Sequence, residues 1–182
     1  LSYLNSARQF HLESKHKIYL ATVENNLAQI YIQKSKLKKA LNSADNAIKL
    51  FRDLGDKSRL AFSIDTKAEI LNGLGKSDQA LEAIEEAIEI LSKGDHRRML
   101  CEVYQTKAKI LLGSNQISES IIAISKALHL SDSSAVKKIA ESFEKELRRN
   151  SLPVIKKVYL QNVSEPEPES EALRLDLPVS IP

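Results

Sequence analysis

Tryptophan is absent from the 182 residues, aromatics make up only 5% of them, and glycine and proline number five each. So few turn formers argue against an all-β sandwich, whose many corners need them. The single cysteine, Cys101, allows no internal disulfide, and no Cys/His set stands at zinc-finger spacing. That usage is expected of a chain from a reducing compartment, so a cytoplasmic location is the expectation. No apolar run approaches the roughly 18 residues a membrane helix needs, and no signal-peptide pattern opens the chain. Because the first residue is Leu1 and not Met, the chain reads as a piece of something longer.

Excess charge is also missing. Lysine and arginine number 27 against 24 acidic residues, a net charge of +3 that does not by itself argue for nucleic acid. What is present in quantity is apolar and charged sequence, 42% and 28%. That is enough to bury a core, and the scarcity of turn formers leans the reading towards helices.

Self-comparison gives the organisation. A shift of 40 residues superimposes Leu20, Leu60 and Leu100, then Ala28, Ala68 and Ala108, then Tyr31, Leu71 and Leu111. Further on it aligns Ala40, Ala80 and Ser120, then Ala44, Ile84 and Ile124, then Ala47, Ala87 and Ala127. No insertion breaks the period across three units. Apolar residues within a unit recur at three- and four-residue steps, as in Leu41, Ala44, Ile48 and Phe51, which is helical spacing. Each unit is therefore expected to be a helix A, a tight turn and a helix B. Gly73, Gly75 and Gly113 mark the turns, and Asp56 and Asp95 are expected to cap the helices that follow them.

Small and large apolar residues at these offsets resemble the tetratricopeptide repeat, in a 40-residue bacterial form. The resemblance spans about residues 1–130 and rests on Ala28, Ala40 and Ala47, Ala68, Ala80 and Ala87, and Ala108 and Ala127. Ser120 departs from the pattern, and Glu24, Ile64 and Tyr104 stand where the family has an early Trp. The resemblance implies an all-α fold, a right-handed superhelical stack of antiparallel helix pairs with helix A on the concave wall. The expected division is a repeat domain over 1–150: a partial repeat 1–14, repeats at about 17–54, 57–93 and 96–130, and a terminal helix 132–149. Residues 151–182 are expected to be a tail leading to a further domain.

Within that tail, 154–163 reads equally as a short helix or an extended segment, and 165–169 as a solvated acidic, proline-rich tether. The alternating Leu173, Leu175, Leu177, Val179 and Ile181 form an apolar strip expected to dock onto a repeat surface or a second copy.

Catalytic chemistry is not legible. Gly75-Lys76-Ser77 mimics the end of a phosphate-binding loop, but Ile70 stands where that motif needs glycine. His11, His16, His96 and His129 share no i, i+4 pair, so neither a metal nor any other cofactor is expected. Cys101 repeats the small-residue position of Ala21 and Ala61, and Glu85, Glu86 and Glu89 suit a solvated outer helix face. The chain is accordingly expected not to be an enzyme.

Charge is distributed unevenly: residues 1–60 carry 11 basic and 5 acidic side chains, and residues 61–100 carry 5 and 8. Lys34, Lys36, Lys38 and Lys39 read as ordinary solvation or as a docking patch for an acidic partner. By resemblance, the partner-binding face is the outward row of helix A: Asn25, Asp65 and Gln105, beside Asn26, with Gln29, Glu69 and Lys109 as a second row. Amide groups pair with both the N–H and C=O of an extended peptide. The acidic members favour a ligand with a basic or donor-rich group over a free carboxylate. The expected role is a non-catalytic scaffold or sensor for a protein or peptide segment, within a larger bacterial regulatory protein. The alternative is self-association positioning a DNA-binding effector domain, with nucleic acid contacted only through a domain outside this chain and no membrane contact.

Overall fold

The computed structural model describes residues 1–13 and 16–130. Seven helices follow in order: α1 (Ser2–Glu13), α2 (Lys17–Gln33), α3 (Leu37–Leu54), α4 (Lys57–Gly73), α5 (Ser77–Ser92), α6 (Arg97–Gly113) and α7 (Ile117–Leu130). No strand occurs among the described residues. The A helices α2, α4 and α6 begin 40 residues apart, and so do the B helices α3, α5 and α7. The expected terminal helix, the 154–163 segment and the alternating tail lie outside the described residues.

The period is built from side-chain size. Ala28, Ala40, Ala47, Ala68, Ala80, Ala87, Ala108 and Ala127 are all fully buried, and their missing bulk lets helix A and helix B of each unit pack closely. Ser120 keeps the small volume, and its buried hydroxyl donates to the Ala108 carbonyl at 2.8 Å, so the substitution leaves no orphan hydroxyl. Larger apolar side chains fill the space between units: Phe51, Leu60, Ile64, Ile84 and Leu91 join α3, α4 and α5 in one cluster. Cys101 is buried, as a small packing residue would be.

The turns repeat as closely as the helices. The N–H groups of Lys36, Lys76 and Gln116 each donate to the carbonyl five residues back, at 2.8, 2.9 and 2.9 Å. Those of Ser35, Gly75 and Asn115 donate three residues back, closing a Schellman-type stop on every A helix. Such a stop needs one left-handed residue, and Ser35, Gly75 and Asn115 have φ of 55°, 75° and 60°. Gly73 and Gly113, expected to serve that turn, are instead the last helical residues of α4 and α6.

Asp56 caps α4 as expected, accepting from the Arg59 N–H at 3.0 Å. Asp95 does not cap α6. The N-cap there is His96, without a side-chain cap bond, because the 40-residue period puts His96, not Asp95, where Asp56 stands.

Successive helices make the main contacts. Beyond them, α2 meets α4 and α4 meets α6, whereas the backbones of α3, α5 and α7 stay apart. The A helices therefore form the inner wall of the stack and the B helices fan outward. Between α3, α4 and α5 this leaves an outer groove of about 700 Å³, with Leu41, Ile48, Arg52, Lys67, Ala83 and Glu86 among its lining residues. Arg52 crosses the groove mouth to Glu86 at 2.8 Å.

Candidate functional site

The inner wall is where the predicted residues fall, and the structure sorts them by burial. Asn26, Glu69 and Lys109 are exposed, and Gln29 and Gln105 are half-buried. Asn25 and Asp65 are only 5% and 9% exposed, although the sequence reading set them in a solvent-facing row. Contact between neighbouring A helices explains the difference. That row lies close to the seam where one A helix meets the next, so its first two members are covered.

Two hydroxyls bridge the seam. Gln29 Nε2 on α2 donates to Thr66 Oγ1 on α4 at 3.1 Å, tying the first two units together. Thr106 on α6 shares its hydroxyl between the Glu102 carbonyl, at 3.4 Å, and the Asp65 carboxyl on α4. Gln105 turns back on its own helix, donating to the Cys101 carbonyl at 3.3 Å. The third member of the row is thus internally satisfied. The first two are not: Asn25 Oδ1 and Asp65 Oδ1 are buried without a hydrogen-bond partner.

Burial pushes the Asp65 carboxyl from 3.8 up to about 7. The Thr106 hydrogen bond opposes that rise, the negative charges of Glu69 and Glu102 add to it, and Lys109 weakly offsets it. The inner wall of the second and third units therefore offers acceptors and negative potential at Asp65, with Lys109 nearby and Arg98 paired to Glu102 at 3.2 Å.

Sequence reasoning missed the partner of Glu24. Its side chain is almost fully buried at the wall's N-terminal end, and Arg8 of α1 reaches it at 2.5 Å. The sequence showed a carboxylate where the family has a large apolar residue, and a buried carboxylate needs a cation. Elsewhere charges join neighbouring helices on the outer side: Lys67 with Asp45 at 2.7 Å, Lys107 with Glu85, and Arg52 with Glu86. Glu85, Glu86 and Glu89 are exposed. The side chains of Lys34, Lys36, Lys38 and Lys39 are exposed as well. No helix among the described residues is long and apolar enough to cross a membrane.

An inner wall of stacked A helices, small residues at each A–B crossing and a 40-residue repeat define an α-solenoid of helix pairs. Residues 19–93 match the tetratricopeptide repeat family, which supports that family for the stretch matched. The crystal structure of BtubC (BKLC) from P. vanneervenii superimposes with a TM-score of 0.59 at 19% identity. The match covers 89% of this chain and 72% of that one, a likeness of fold. No curated protein matches the chain.

Proposed function

We propose that the chain is a non-catalytic module that binds a protein or peptide segment along the wall formed by α2, α4 and α6. Tetratricopeptide repeats generally mediate protein–protein interaction, which supports the broad reading. The observation that carries the finer one is the pair of orphan acceptors, Asn25 Oδ1 and Asp65 Oδ1, one repeat apart on the inner wall. A buried acceptor without a donor is costly, and the N–H groups of an extended segment would satisfy it where the seam between neighbouring A helices parts to admit them. Asn26, Gln29, Glu69, Gln105 and Lys109 flank that row and complete the surface. The module serves within a larger bacterial regulatory protein in the cytoplasm.

The test is panning of a random peptide library against the protein, with affinities measured for the recovered sequences. Asn25→Ala, Asn26→Ala and Gln29→Ala together should weaken binding by about 0.5–1.5 kcal/mol per lost bond, with helical circular dichroism unchanged. Recovered peptides that bind the triple variant as well as the parent protein would remove the wall from the reading.

Self-association is the second reading. Tyr3, Phe10, Leu12, Ile18 and Tyr19 are large apolar side chains exposed on α1 and the start of α2, the kind of patch that favours contact between copies. Light scattering across a concentration series separates the two, since segment binding needs no change in mass.

A further inference from the structure

We propose that the inner wall selects a segment carrying a lysine or arginine, and that the cationic side chain is seated at Asp65 between Glu69 and Glu102. The inference rests on the reading of the wall as a segment-binding surface and specifies what it prefers. Asp65 is 9% exposed, and one of its two carboxylate oxygens has no donor. Its surroundings supply negative potential from Glu69 on the same helix and Glu102 on α6, against the exposed Lys109 and against Arg98, which pairs with Glu102 at 3.2 Å across an exposed turn of α6. An ammonium or guanidinium group supplies both the missing donor and the missing charge. A carboxylate ligand would meet only repulsion there.

The preceding position sharpens the pattern. Asn25 stands one repeat earlier in the same row, with its carbonyl oxygen also orphaned, but it bears no charge. It therefore suits a neutral donor such as a backbone N–H. Packed helices lie about 8–10 Å apart, and an extended chain advances about 3.3 Å per residue. The donor at Asn25 and the cation at Asp65 are thus about three residues apart in the segment.

Protonation follows from the same surroundings. Burial raises the Asp65 carboxyl to about 7, so near neutrality the empty wall holds a proton where the cation sits. Several charges on helices packed against α4 are engaged in pairs: Glu24 of α2 with Arg8, Asp45 of α3 with Lys67, Glu86 of α5 with Arg52, Glu85 of α5 with Lys107, and Glu102 of α6 with Arg98. Seating a cation displaces the proton. Affinity should then rise about tenfold per pH unit below about 7 and level off above it.

A phage-displayed library of random peptides, about 12 residues long, panned at about pH 8 provides the probes. Lysine or arginine should be enriched at one position, and a synthetic copy with norleucine there should bind at least tenfold more weakly. Asp65→Asn should bind both copies alike and lose the pH dependence, while circular dichroism confirms its fold. Glu102→Gln, on a different helix, should reduce the preference in the same direction. Peptides that need Asn26 and Gln29 but show no basic enrichment, or that keep the lysine preference on Asp65→Asn, overturn this inference and leave the wall reading intact. If no recovered peptide depends on the inner wall, both fail together.

Discussion

Replacing Asp65 by asparagine should remove a pH-dependent weakness from the fold. In the wild-type protein the carboxyl is raised from 3.8 to about 7, chiefly by burial. Between those values the folded state keeps a proton that the unfolded chain has released. Stability therefore falls as pH rises through this window, and the loss is complete above the folded value. A shift of about 3 units at 1.36 kcal/mol each amounts to about 4 kcal/mol by about pH 8. Asparagine keeps the shape and has no proton to lose. The difference in unfolding free energy, Asp65→Asn minus wild type, should therefore grow by about 4 kcal/mol from about pH 4 to about pH 8. Urea unfolding followed by circular dichroism across that range gives the difference, because carboxylates common to both proteins cancel. Repeat arrays lose cooperativity easily, so amide exchange in α4 and α6 provides a local readout of the same change. Two stability curves that stay parallel across the range would refute the reasoning: Asp65 would then be as well solvated, or as well paired, as an ordinary aspartate.

Three further outcomes follow from the packing. Ala87 is fully buried and Lys93 is exposed on a local pair with Glu89, so Ala87→Leu should cost about 1–3 kcal/mol and Lys93→Ala almost nothing; equal melting temperatures would refute the assigned faces. Gly75 has φ of 75° and open space around its missing Cβ, so Gly75→Ala should cost about 1 kcal/mol through the backbone alone. Ser35→Gly at the equivalent turn should raise the melting temperature slightly, and a lowered one would contradict the strain. Arg8→Ala strips the buried Glu24 of its cation, at about 1.5–3 kcal/mol, so hydrogen exchange should speed up in residues 2–13 and stay slow in α4 and α5.

Much of the fold was legible because it depends on side-chain size at fixed intervals. Ala28, Ala68 and Ala108, or Ala47, Ala87 and Ala127, are visible in any sequence comparison at a shift of 40, and each proved fully buried. The turns were half legible. Glycine alone was taken as the left-handed residue, but serine and asparagine fill that place in two of three units, since backbone hydrogen bonds impose the conformation on whatever residue the period delivers. Asp95 misled for a related reason: it stands one position before the N-cap, His96, and makes no cap bond to the first turn of α6.

The candidate wall was least legible. Helical periodicity places Asn25 and Asp65 on a face of their own helices, but only the approach of the next A helix determines that they are covered. Glu24 and Arg8 lie 16 positions apart in different helices, and no repeat relates them.

The asymmetry between the two sides of the stack has a mechanical consequence. Beyond the contacts of successive helices, backbone contact runs down the inner edge, from α2 to α4 to α6, and the outer edge between α3 and α5 is bridged by long side chains such as Arg52 and Glu86. Stacked units held more closely along one edge than along the other bend most easily about the closer edge. Drawing the inner helices together would fan the outer ones apart, widening the groove between α3 and α5 at the cost of an exposed ion pair worth little in water. Curvature is thus the soft coordinate of this molecule. If a segment occupies the inner wall as proposed, its binding would be converted into a change of pitch that accumulates from unit to unit and is largest at the two ends of the stack.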